Sequence, residues 1–173
     1  QEALAEWVKN KLNSVQKIGA KYGKSTQSEI LTAVLAADME NINTTIEHVD
    51  PQAFETAVET VLNAEHVYII GIRSCEPLAR FLYFYLNMIR GNVILLASTS
   101  TSEIFEQMIR IDEKDAMIGI SFPRYSMRTL KALEFANNRN AKVITITDSG
   151  TSGKTDVGDG PFLTASQVTA RDA

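Results

Sequence analysis

Four short apolar runs, each closed by a polar loop or turn, constrain the fold of this chain more than any other feature. They are HVYIIGI at 66–72, VILLA at 93–97, AMIGIS at 116–121 and KVITIT at 142–147. Each is β-branched or apolar and nearly free of charge, as suits strands covered on both faces. Between them the period changes to that of helices: Leu78, Phe81, Leu82, Tyr85, Leu86 and Ile89, then Ile104, Phe105 and Met108, then Leu130, Leu133 and Ala136. Asp50-Pro51 pairs an N-cap with a proline at the first helical position, ahead of Phe54, Ala57, Val58, Val61 and Leu62. Strands that alternate with helices predict a three-layer α/β/α sandwich. Its sheet is parallel, has four to five strands and uses right-handed crossovers. A short last strand is expected at 162–165, beyond the Gly-rich SGTSGKTDVGDGP at 149–161.

Three of the loops carry chemistry. Arg73-Ser74-Cys75-Glu76 follows the first run, Ser98-Thr99-Ser100-Thr101-Ser102 the second, and Phe122 to Thr129, FPRYSMRT, the third. Pro123 ends the third strand, because it cannot donate to a central ladder. Loops at the carboxyl ends of parallel strands are where such sheets bind ligands. Hydroxyls, arginines and free N–H groups at a helix start suit a phosphate or another small anion. The bland alternative is that these hydroxyls only cap the helices. Gly71 would let the backbone pass close to something at the strand end.

Upstream, two helices are expected. Leu4, Trp7, Val8, Leu12, Val15 and Ile18 share one face, and Gly19 and Gly23 mark its end. After a connection at 25–28, a second helix runs from about Glu29 to His48, with Leu35, Met39, Ile42, Ile46 and Val49 as a narrow seam. That seam packs on its own chain, on a second subunit, or on both. The 173 residues are 45% apolar and 22% charged, with a net charge of −4, so nothing basic advertises nucleic acid. Cys75 is the sole cysteine, which excludes an internal disulfide and suits a reducing cytoplasm. No apolar run approaches the roughly 20 residues of a membrane span. The chain opens without Met, as expected of a piece of a longer protein.

GIRSCEPLARFLYFYL from Gly71 and ISFPRYSMRTLKALEFA from Ile120 resemble the two signature loops of SIS (sugar isomerase) domains. More closely, they resemble the SIS domain of RpiR-type bacterial transcriptional regulators. NVILL, AKVITITDS and the upstream NINTTIEHVDPQAFETAVETVLNAEHVYIIG fit as well, and the similarity spans about Glu29 to Ser149. It implies a flavodoxin-like SIS domain over 29–173, with 149–173 an atypical tail. Residues 1–28 would then be a helix and connection left from a missing helix-turn-helix domain. Five Lys against six Asp or Glu in the first 48 residues give this part no basic DNA-binding arm.

The resemblance implies an effector-sensing domain that binds a phosphorylated sugar, pairs as a homodimer or larger homo-oligomer, and reaches DNA only through the missing domain. It calls for no cofactor and no metal. The expected ligand-binding residues are Gly71, Arg73, Ser74, Ser98, Thr99, Ser121, Arg124, Ser126 and Thr129. Where the family has Ser-x-Ser-Gly this chain has Ser-Phe-Pro-Arg, and Arg73 stands where many members have Gly. The two arginines either grip an anion or fill the site, with Arg124 paired to Glu76 or Glu103. An aldose-ketose isomerase of the same family is the alternative, and it needs a general base. Glu76 and Glu103 open helices at the loops, whereas His48 and His66 lie elsewhere. A third reading is a dimerisation module without ligand.

Overall fold

Alternate residues of each inner strand point to opposite sides of the sheet, and that alternation builds two separate cores. The computed structural model describes residues 26–97, 100–122, 125–147 and 162–164. Four parallel strands, β1 (Val67–Gly71), β2 (Val93–Leu95), β3 (Ala116–Ile120) and β4 (Lys142–Thr147), stand in the order β2-β1-β3-β4. On one face Val67, Ile69, Ala116, Ile118 and Ile144 meet helix α2 (Pro51–Asn63) through Ala57 and helix α3 (Glu76–Ile89) through Ala79. On the other, Tyr68, Ile70 and Met117 meet helix α4 (Thr101–Gln107) through Ile104, and helix α5 (Met127–Asn138) through Ala132, Leu133 and Ala136. The expected α/β/α sandwich is what forms.

A fifth strand, β5 (Phe162–Thr164), extends the sheet beside β4, and it runs antiparallel. The all-parallel sheet is thus four strands, and its edge is mixed, as often happens where an edge strand closes such a sheet. Three of the strands are shorter than their apolar runs: β1 ends at Gly71, β2 at Leu95 and β3 at Ile120.

The chain divides into two units, Gln1–Asn43 and Thr44–Ala173. Helix α1 (Gln27–His48) begins two residues earlier than the spacing predicts. Thr26 and Glu29 explain this. The Thr26 N–H and hydroxyl both donate to Glu29 Oε2, at 2.7 and 2.8 Å, and the Glu29 N–H donates back to Thr26 Oγ1 at 3.4 Å. This reciprocal capping box holds the Glu29 carboxyl below its usual pKa, chiefly through the Thr26 N–H. Leu35, Met39, Ile42 and Ile46 are exposed along α1. Residues 1–25, with the first expected helix, lie outside the described residues.

At α2 the expected cap is present: the Gln52 N–H donates to Asp50 Oδ1 at 2.9 Å, and Pro51 follows the cap.

Candidate functional site

From β1 the chain steps outward to β2, then crosses back over β1 to reach β3. Between β1 and β3 the connections therefore diverge, and sheets of this kind hold their ligand crevice at the carboxyl ends of such a strand pair. The register places Gly71 opposite Ile120, so Arg73-Ser74 and Ser121-Phe122 leave the sheet side by side. Parallel neighbours are about 4.8 Å apart, which puts the first and third loops within one side chain of each other.

The first loop is tight. Ile72 is extended, Arg73 has φ 61°, and the Cys75 N–H donates to the Ile72 carbonyl at 3.3 Å. A single 3-10 turn over Arg73–Cys75 then leads straight into α3. A Cβ on Gly71 would stand 2.5 Å from the Cys75 carbonyl oxygen. What passes close to Gly71 is thus the chain's own loop folding back. Arg73 and Ser74 are exposed, and Cys75 is buried.

The third loop rises from buried Ser121, whose N–H donates to the Ile146 carbonyl at 3.0 Å and carries the β3–β4 ladder one residue further. Ser126 is the N-cap of α5 by backbone geometry, and its carbonyl accepts the Leu130 N–H at 3.1 Å. Its hydroxyl makes no capping hydrogen bond. Three residues on, in the first turn, Thr129 is fully buried and its Oγ1 has no hydrogen-bond partner. Buried polar groups are nearly always paired, and leaving one unpaired costs about 1–3 kcal/mol. Helix α5 sits unusually close to the sheet here: a Cβ on Gly119 would meet the Leu133 side chain at 2.7 Å.

Of the nine expected ligand residues, Gly71, Arg73, Ser74, Ser121, Ser126 and Thr129 fall on these two adjoining loops and the α5 start. Ser98, Thr99 and Arg124 lie outside the described residues. The suggested acid partner Glu76 is already engaged, since Arg80 Nε and Nη2 donate to its Oε1 at 3.0 and 2.8 Å. His66 lies at the other end of β1. Its N–H and its Nδ1 reach Asp115 Oδ1 at 3.0 and 3.1 Å, beside a cavity of about 540 Å³ that is also lined by Tyr68, Arg110 and Asp112. The side chain of His48 lies outside the described residues. The signal that sequence reasoning lacked at Thr129 is burial without a partner, which only packing reveals.

The SIS domain family model matches residues 60–153, more than half of the chain. The sugar isomerase domain of an RpiR transcription factor from Sphaerobacter thermophilus is 30% identical, with a TM-score of 0.69 over 79% of this chain and 75% of that one. The NanR protein of Vibrio vulnificus, solved complexed with ManNAc-6P, is 19% identical with a TM-score of 0.65, over 80% of this chain and 51% of that one. A protein of E. coli CFT073, solved in complex with A5P, is 18% identical with a TM-score of 0.54, over 74% of this chain and 69% of that one. No curated protein matches the sequence.

Proposed function

The chain belongs to the SIS domain family, and from that premise we propose that it is the effector-sensing, phosphosugar-binding domain of an RpiR-type transcriptional regulator. The observation that carries this reading is the buried, unpartnered hydroxyl of Thr129 in the first turn of α5, behind an N-cap serine whose own hydroxyl does no capping. A helix start with spare N–H groups and spare hydroxyls is a phosphate site by its chemistry. Ser74 and Ser121 stand on the adjoining loops, and Ser98, Thr99 and Arg124 belong to the same set of proposed contacts. That NanR was solved with ManNAc-6P and the E. coli protein with A5P supports the ligand class. DNA binding would belong to a helix-turn-helix domain ahead of residue 29, with 29–173 as the sensor, and the regulator would work in the cytoplasm.

Isomerisation is the second reading, and of its candidate bases Glu103 stands in the first turn of α4. His66 is tied to Asp115 at the far end of β1, and Glu76 is held by Arg80. A sensor needs only to hold the phosphosugar, and the crevice offers hydroxyls and N–H groups for that.

We further propose that the sensor pairs with a second copy through α3. Phe81, Phe84, Tyr85, Met88 and Ile89 are all exposed on this helix, and the rings of Phe81 and Phe84 lie 4.8 and 5.3 Å from that of Tyr85. An apolar cluster of this size on a surface marks an interaction face. The α1 seam offers a second one. Sedimentation at micromolar concentration should show a dimer or larger, and a monomer alone would count against the pairing.

Thermal unfolding with A5P, ManNAc-6P and their unphosphorylated sugars tests the sensor reading. Only the phosphorylated sugars should raise the melting temperature. No response to either would contradict phosphosugar binding by these probes, and turnover of a stabilising sugar phosphate would favour the isomerase.

A further inference from the structure

Two residues other than glycine have positive φ among the described residues, and they differ in how well their side chains explain it. Asn140 (φ 63°) follows the end of α5, a place where asparagine takes the left-handed conformation readily. Arg73 (φ 61°) is the first central residue of the turn closed from Cys75 to Ile72. Turns with positive φ there are dominated by Gly, Asn and Asp, because a Cβ crowds the following carbonyl oxygen and only Asn and Asp offset that with a local hydrogen bond. The strain sits in the turn that folds the Cys75 carbonyl back over Gly71. Glycine would relieve it, yet the position holds one of the largest side chains.

Among the described residues nothing accounts for that side chain. Arg73 is exposed, so it fills no core. Glu76, the carboxylate three residues away, is engaged by a different arginine, Arg80. The place itself is informative. Arg73 stands two residues beyond Gly71, which is paired with Ile120, so its turn adjoins Ser121 at the mouth of the crevice between β1 and β3. Strained residues that persist without a packing reason cluster at ligand clamps.

We propose that Arg73 is a specificity-determining residue: its guanidinium binds the ionised phosphate of the ligand, and the turn keeps an unfavourable backbone to present it. This deepens the phosphosugar reading and rests on it. Arginine matches a phosphate with a planar two-pronged contact that lysine lacks. The site would therefore discriminate phosphorylated from neutral sugars by charge as well as by hydroxyl contacts.

The test uses the full chain, with inorganic phosphate, A5P and ManNAc-6P as probes. Arg73→Gly should raise the melting temperature without ligand by about 2–4 °C, and it should lose most of the stabilisation that the best probe gives the wild type. Arg73→Lys should keep the lower melting temperature and show an intermediate ligand shift. Arg73→Gly melting at or below the wild type, or keeping the full ligand shift, overturns the proposal. Thr129→Val separates the two levels. If Thr129→Val loses the shift while Arg73→Gly keeps it, the phosphosugar site stands and the role of Arg73 falls. If the wild type responds to none of the probes, both fall.

Discussion

The carbonyl oxygen of Cys75 lies 2.5 Å from where a Cβ on Gly71 would stand, so the end of β1 and the start of α3 tolerate no side chain between them. Gly71→Ala must push backbone aside, and overpacking of this kind costs about 1–3 kcal/mol. Because the displaced carbonyl belongs to the turn that carries Arg73 and Ser74, phosphosugar affinity should fall together with stability. At Gly119 the obstructing atoms are the ends of the Leu133 side chain, which can shift. Gly119→Ala should therefore cost less than Gly71→Ala in urea unfolding, and the opposite order would contradict this account of the first loop.

Asp115 gathers the amino ends of β1 and β3. Its carboxylate is buried and accepts the His66 N–H at 3.0 Å, His66 Nδ1 at 3.1 Å and the Asp112 N–H at 3.1 Å. Asp115→Ala leaves those donors unpaired and should destabilise the fold by about 3 kcal/mol. The His66 side chain is 44% exposed, so its half of the pair is worth little. His66→Ala should cost about 1 kcal/mol or less. Equal costs for the two variants would show that the side-chain pair, and not the backbone N–H groups, carries the stability.

Most of the sheet was legible in the sequence because its strands read as apolar runs, with β1 and β3 buried on both faces. The same holds for α2, where Asp50-Pro51 announces the start. What escaped was set by contacts distant along the chain. The direction of β5 is set by its pairing with β4, and no local pattern encodes that. Glu29 reads as the first residue of a helix until its carboxylate is seen to accept from Thr26. Ser126 and Thr129 were legible as hydroxyls near a helix start. That one does no capping and the other is buried unpaired was not, since burial depends on packing between elements distant along the chain. The positive φ of Arg73 was equally hidden, because nothing in the residue type points to it.

Tyr68 gives the fold a dependence on alkaline pH. Its pKa is raised by burial first, then by the nearby Asp115 and Asp112, against a smaller opposing effect of Arg110. The folded protein therefore holds the phenolic proton more tightly than the unfolded chain, whose tyrosines titrate near pH 10. This contribution is fully present below about pH 10 and is lost as pH rises through the folded value. Unfolding free energy measured from about pH 9 to 12 should fall less steeply for Tyr68→Phe than for the wild type. Parallel curves would mean that the phenol is not shielded in this way.

The central claim is that Thr129 Oγ1 is kept buried and unpaired in the protein alone because a ligand phosphate completes it. Thr129→Val replaces that hydroxyl with a methyl group of similar shape, and removing an unsatisfied buried polar group should be neutral or stabilising by about 1 kcal/mol. A hydrogen bond to a charged group is worth about 1.5–3 kcal/mol, so the same change should weaken phosphosugar binding by roughly 10- to 150-fold. Calorimetric titration of wild type and Thr129→Val with the sugar phosphate that most stabilises the wild type, set beside their unfolding curves without ligand, measures both effects. The account predicts a variant at least as stable as the wild type that binds far more weakly. A destabilised variant that binds with unchanged affinity would contradict it.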